Sequence, residues 1–195
     1  LNRLFFDYLS IQMLSIFAEE LLKYNKKYNL ISKSTENDIW KRHILDSAQI
    51  VKFIDMKNNN SLADFGSGAG FPGIVISIFN KNHDFHVKLY EKSSVKCNFL
   101  SNLVNKLKIN ASVIHGRLEK EEINSDYVVC RAFKKLDEII RISREIVKKP
   151  HKLIILKGQN AQEEANKAFK SHKYTYKLEE SMTDEKSKII IADIR

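Results

Sequence analysis

The amino-acid sequence predicts an α/β fold: a mostly parallel seven-stranded sheet with an antiparallel hairpin at its C-terminal end, preceded by an N-terminal helical cap. Three observations carry this expectation. From residue 62 onward, short apolar runs of strand length alternate with helical segments. The last two such runs have only a polar turn between them, which leaves no room for a crossover helix. Before residue 57, apolar side chains recur at helical spacing and never in strand-like alternation.

In chain order, residues 4–24 place Leu4, Phe5, Tyr8, Leu9, Ile11, Leu14, Phe17, Ala18, Leu21 and Leu22 on one broad helical stripe. A polar link, 31–36, leads to a second stripe over 39–54 through Ile44, Leu45, Ala48 and Val51, with Asn37 or Asp38 available to cap it. The cap is thus read as 1–57, the main domain as 58–195, and the segment 57–61 as the joint. Strands are expected at 62–65, 85–90, 111–114, 127–130 and 153–156, each rich in Val, Ile, Leu or aromatic residues. Helices are expected at 72–79, 94–107, 136–149 and 161–170, with Pro72 at a first turn and Pro150 closing the third. The hairpin takes 175–178 and 188–193.

A chain of 195 residues can bury one full core. With 43% hydrophobic and 29% charged residues it reads as an ordinary globular protein, and no apolar run reaches the roughly 20 residues of a bilayer span. No cleavable secretory leader is expected either, because acidic Asp7 stands near the start and no small-residue cleavage site follows an apolar stretch; the reading is cytoplasmic. Cys97 and Cys130 lack partners at ligand spacing, so neither a disulfide framework nor a metal site is expected, and both read as small buried side chains. The excess of 33 Lys and Arg over 24 Asp and Glu gives +9, which favours polyanions as partners.

Four of the six glycines fall at Gly66, Gly68, Gly70 and Gly73, where the first strand should turn into a helix. In an open parallel sheet, that turn borders the ligand crevice. Gly68-Ala69-Gly70-Phe71-Pro72-Gly73 satisfies the literal pattern of dinucleotide binders, so a nicotinamide cofactor stays open. The register from Asp64 through Gly66, Gly68 and Gly70, however, resembles the nucleotide-binding motif of class I methyltransferases, in which an acid offsets a cofactor's ammonium group. Pro72 also removes an amide donor that a pyrophosphate would use. Glu91, after the second strand, stands where a carboxylate can accept from two ribose hydroxyls.

Further segments add Tyr24-Asn25-Lys26-Lys27-Tyr28-Asn29-Leu30-Ile31-Ser32, Arg42-His43-Ile44-Leu45-Asp46-Ser47, Arg131-Ala132-Phe133 and Leu156-Lys157-Gly158-Gln159. Together with the Phe71-Pro72-Gly73 loop, and over nearly the whole chain, they resemble the bacterial 16S ribosomal RNA guanine-N7 methyltransferases, formerly called glucose-inhibited division protein B. The resemblance implies a class I Rossmann-like methyltransferase fold, S-adenosylmethionine as methyl donor, and 16S ribosomal RNA or a small-subunit precursor as substrate. A monomer is expected. It implies that Gly66 and Phe71 line the cofactor site, that Leu118 and Glu119 sit beside the adenine, and that Arg131 reaches the cofactor or the target base. Ala69 stands where proline is common, Phe71 where leucine is common and Cys130 where serine is common.

Guanine N7 carries an in-plane lone pair and no proton, so the chemistry needs orientation and charge placement and no general base. Arg131 is the first candidate for binding O6 or a phosphate. Phe133 is a candidate for stacking on an extruded base. His43 and Asp46, three residues apart, suggest a local hydrogen bond, and His43 reads as structural or RNA-positioning. Lys33, Lys41, Arg42, Lys134, Lys135 and Lys157 are candidates for phosphate contacts at the mouth of the site.

Overall fold

The computed structural model describes residues 1, 4–57, 60–170 and 174–195. Helix α1 spans Tyr8–Tyr28, and 3-10 and π turns at Lys33–Asp38 and Trp40–Leu45 lead into one α-helical turn, α2, at Asp46–Ala48. The remaining elements are β1 Ser61–Phe65, α3 Gly73–Phe79, β2 His86–Glu91, α4 Ser94–Leu107, β3 Ala111–His115, β4 Tyr127–Arg131, α5 Leu136–Ile146, β5 His151–Lys157, α6 Ala161–Lys170, β6 Tyr176–Glu180 and β7 Lys188–Ile194. The seven strands lie in the order β3-β2-β1-β4-β5-β7-β6, as the expected fold class requires.

Pairing is parallel from β3 through β5 and antiparallel for β7 against both β5 and β6. The strand order therefore reverses between β1 and β4, which fixes the crevice at the carboxyl ends of these two strands. Side-chain alternation then assigns the two faces. Leu62, Val87, Leu89, Val129, Ile154 and Ile191 point to the layer of α1, α3 and α4. Ala63, Phe65, Val128, Cys130, Ile155 and Ile190 point to α5 and α6.

The cap shares the first of these cores. Leu14, Phe17 and Leu21 of α1 are fully buried, and Phe17 packs on Phe71 of the glycine loop at 4.9 Å between ring centroids. Each such side chain stabilises by about 1.5–3 kcal/mol relative to exposure, so these residues anchor α1 to the sheet. The joint expected at 57–61 lies partly outside the described residues, since 58 and 59 are not described.

Three of the differences from the expected boundaries trace to a specific contact. Helix α1 starts at Tyr8 and not at residue 4, because Asp7 is its N-cap, with Oδ1 accepting from Ser10 N at 2.8 Å. The uninterrupted helix expected over 39–54 is a π turn, a single α turn and a 3-10 turn at Val51–Phe53, and neither Asn37 nor Asp38 serves as the cap. Here the Arg42 carbonyl accepts from Arg131 NH1 at 2.9 Å, so a side chain inserts where the regular ladder would run. Helix α5 ends at Ile146, short of Pro150, because Ile123 takes up the chain on both sides of Val147: its N donates to Ile146 O at 2.8 Å and its O accepts from Lys148 N at 2.8 Å.

Candidate active site

At the end of β1 the chain makes a turn in which Gly66, Gly68 and Gly70 all have positive φ. Gly66 is required twice over: its φ is +69°, and a Cβ there would lie 2.4 Å from Phe133 Cδ2. Gly73, at the start of α3, admits no side chain, because a Cβ would fall 2.3 Å from Leu89 Cδ2 and 2.6 Å from Asp64 Oδ2. That close approach lets the Asp64 carboxylate accept from Gly73 N at 3.0 Å and tie the helix start to β1.

Asp64 is consequently buried beneath the loop and does not line the cavity above it. Burial pushes its pKa up to about 7, partly offset by the Gly73 N–H and Arg131. Gly70 is likewise structural, its α-carbon facing Ile74 and Leu100. The cavity itself, about 980 Å³, lies over the carboxyl ends of β1, β2 and β4. Gly66, Gly68, Phe71, Glu91, Leu118, Glu119 and Arg131 all line it, so these expected cofactor residues are brought together.

Glu91 ends β2 with its carboxylate already ordered. Oε2 accepts from Gly68 N at 2.9 Å, while Oε1 accepts from Lys92 N at 2.9 Å and Ser93 N at 2.8 Å. A carboxylate has about four acceptor positions and three are taken, so Glu91 braces the loop and keeps about one position for a hydroxyl proton, fewer than the two expected from the sequence. Leu118 is buried in a short turn after β3, and Glu119 beside it faces Lys134 at 3.6 Å.

Arg131, the last residue of β4, crosses to the cap. NH1 reaches the Arg42 carbonyl at 2.9 Å and Asp46 Oδ2 at 3.3 Å, NH2 reaches His43 Nδ1 at 2.7 Å, and the guanidinium lies 4.9 Å from the centroid of Phe71. His43 and Asp46 therefore do not bond each other as the sequence suggested; both hold Arg131. Because a guanidinium only donates, Nδ1 of His43 is the acceptor, its Nε2 carries the proton, and that proton goes to Thr35 Oγ1 at 2.8 Å. Thr35 passes the sequence of donors on to the Ser32 carbonyl at 2.9 Å. Burial, with Arg131 and Arg42 nearby, lowers the His43 pKa to about 4, so the imidazole is neutral.

The expected phosphate-binding cations divide. Lys33, Lys41, Arg42 and Lys135 are exposed around the cap and the β4 turn. Lys134 lines the cavity but is paired with Glu138 at 2.5 Å. Lys157 is turned inward, donating to the Lys134 carbonyl at 2.8 Å and pairing with Glu164 at 2.7 Å, so it braces the loop after β4 instead of facing outward. Phe133 lies against Gly66 on the cavity wall. Both cysteines are buried with thiol pKa values pushed up by burial, in agreement with their reading as packing residues.

Other lining residues escaped the sequence reading: Leu30 and Ile31 from the cap, Lys92 and Lys96 beyond β2, and Arg117 and Lys120 beyond β3. The available signal was positional, since the segments after β2 and β3 had to border the same crevice as the glycine loop. Among the described residues, no group of His, Cys, Asp and Glu is arranged to hold a metal ion, and no helix is long and apolar enough to cross a membrane.

The chain is similar to known proteins over nearly its whole length. A solved S-adenosylmethionine-dependent methyltransferase from Aquifex aeolicus superposes with a TM-score of 0.65 at 15% identity, covering 91% of this chain and 98% of that one. The structure of TYW2 from M. jannaschii in complex with AdoMet superposes with a TM-score of 0.58 at 15% identity, over 80% of this chain and 76% of that one. At these identities the superpositions show the shared Rossmann-like methyltransferase fold. In sequence, the chain is 39% identical over 180 residues to the ribosomal RNA small subunit methyltransferase G of Rickettsia felis, covering 92% of this chain and 91% of the relative. It is 37% identical over 185 residues to the protein of the same description from Rickettsia bellii, covering 94% of each. The model of the family described as rRNA small subunit methyltransferase G matches residues 10–190, and the chain belongs to that family.

Proposed function

We propose that this methyltransferase uses S-adenosylmethionine to methylate N7 of a guanine in 16S ribosomal RNA, in the cytoplasm, without a general base. The residues of the main cavity fit the cofactor in their chemistry. Glu91 offers acceptor capacity for a ribose, Leu118 an apolar surface for a purine, and Gly68 a backbone with no side chain near its α-carbon. When bound, the cofactor supplies an electrophilic methyl group on a sulfonium.

The observation that carries the N7 reading is the state of His43. It is the one imidazole among the described residues lining the cavity, its Nδ1 lone pair is taken by Arg131, and it is neutral because its proton affinity is low. Asp64 is sealed beneath the loop and Cys130 is buried. A site so arranged suits an acceptor atom that already presents a lone pair. Its contribution is then positional: Arg131, held by Asp46, His43 and the Arg42 carbonyl, presents a fixed cation, and Phe71 braces it from below. Orientation of this kind contributes up to roughly 7–11 kcal/mol in favourable cases.

The test is calorimetric titration of the purified chain with S-adenosylmethionine and with NADH. Binding of the first alone is expected, weakened about tenfold or more in Glu91→Ala, which removes the acceptor of three backbone N–H groups. Binding of NADH alone, or of neither, overturns the reading.

A further inference from the structure

A second cavity, about 350 Å³, opens beside the first and shares His43, Arg131 and Ala132 with it. It lies over the carboxyl ends of β4 and β5, between the π turn of the cap and the turn joining β6 to β7. Most of its charged groups already have partners. Lys157 is paired with Glu164, Lys188 with Glu180 at 2.5 Å, and Asp46 receives Gln49 Nε2 and Thr183 Oγ1 on Oδ1 and Arg131 on Oδ2.

Asp184 differs. Its Oδ1 accepts from Lys186 N at 3.0 Å and its Oδ2 from Ser187 Oγ at 3.1 Å, which leaves about half of a carboxylate's acceptor positions unused. Its nearest cation, Arg42 NH1, stands off at 3.9 Å, and 37% of its side chain is accessible. The Lys186 N–H and the Ser187 hydroxyl hold its carboxyl below the ordinary range, so it is ionised at neutral pH. Arg131 in the same cavity uses three donor contacts out of five N–H groups.

One cavity thus presents an acceptor-only group from the hairpin turn and a donor-only group from β4. Among the bases, guanine matches that pair: N1–H and the 2-amino group donate from one edge, and O6 and N7 accept on the other. Adenine, with an amino group where guanine has O6 and no proton on N1, does not. We propose that this second cavity is the acceptor-base subsite and that Asp184 is its specificity-determining residue, accepting from guanine N1–H and the 2-amino group while Arg131 takes O6. N7 then faces the opening shared with the main cavity. An enzyme reading an extruded base by its Watson–Crick edge needs a contact of this type.

The inference rests on the methyl-transfer reading, and two measurements on the full chain keep their failures apart. The first is transfer of methyl from S-adenosylmethionine to guanine in small-subunit RNA by the unaltered protein. The second is saturation-transfer NMR with guanosine, inosine and adenosine 5′-monophosphates, on the unaltered chain, Asp184→Asn and Asp184→Glu. The unaltered chain is expected to prefer the guanosine nucleotide over adenosine by about tenfold, with inosine between them. Asp184→Asn should bring the ratio to within about twofold, Asp184→Glu should retain part of it, and S-adenosylmethionine binding should be unchanged in both. A loss of fold stability alone would lower all three affinities together and leave the ratio intact. An undiminished guanine preference in Asp184→Asn, or no preference in the unaltered chain, overturns the role of Asp184 while guanine methylation still stands. Absence of guanine methylation by the unaltered chain overturns the reading beneath it.

Discussion

Asparagine in place of Asp64 removes a titration from beneath the glycine loop while keeping the shape of the side chain. In the folded protein Oδ2 accepts from Gly73 N, Oδ1 has no hydrogen-bond partner, and burial moves the pKa from 3.8 to about 7. Between these two values the folded chain retains a proton that the unfolded chain has released. Stability therefore falls as pH rises through that window, is fully restored below it and levels off above about pH 7. About three units at 1.36 kcal/mol each make the change roughly 4 kcal/mol, a value tied to complete burial of the group. The variant lacks this slope. Urea unfolding of both proteins at intervals from pH 4 to pH 8, without ligand, gives the difference in stability at each pH. That difference should move by about 4 kcal/mol in favour of Asp64→Asn as pH rises. Other carboxylates, such as Asp126, titrate in both proteins and cancel. A difference that is flat, or that moves in favour of the unaltered chain, would refute the claim that burial dominates at Asp64.

Gly66→Ala introduces a Cβ 2.4 Å from Phe133 Cδ2 at a φ of +69°. It should lower stability by about 1–3 kcal/mol and weaken S-adenosylmethionine binding at least tenfold; calorimetry showing undiminished affinity would remove Gly66 from the cofactor site. Arg131→Lys keeps the charge but loses the planar fork that engages Asp46, His43 and the Arg42 carbonyl together. A fall of about 100-fold in kcat/KM for RNA is expected, with the cofactor affinity less affected; rates equal to those of the unaltered chain would end the case for Arg131.

The strands and most helices were legible because each rests on local chemistry. Short segments rich in Val, Ile, Leu or aromatic residues mark β1 to β5, and the polar turn between β6 and β7 excludes a crossover helix. The glycine cluster was legible for the same reason, since three positive φ values in one turn demand it. What failed depended on contacts between residues far apart in the chain. Nothing near Trp40 announces that Arg131, 89 residues beyond Arg42, will take a carbonyl there and open the helix into a π turn. Nor does the sequence around Lys157 show that Glu164 and the Lys134 carbonyl will turn it inward. The spacing of His43 and Asp46 correctly put them on one side of the cap, but what they share is the guanidinium between them. The glycine-loop register alone points Asp64 toward the cofactor, whereas its burial follows from Gly73, whose missing side chain makes room for the carboxylate.

The methyl acceptor proposed for this chain is a guanine nitrogen that needs no deprotonation. The direct measurement uses the purified protein, S-adenosylmethionine and two small-subunit RNA transcripts, one ordinary and one made with 7-deazaguanosine, followed by nucleoside mass analysis. 7-Methylguanosine is expected at a single position in the ordinary transcript, with no methyl incorporation in the 7-deaza transcript. Methyl on another base or another guanine atom, or equal incorporation in the two transcripts, would contradict it.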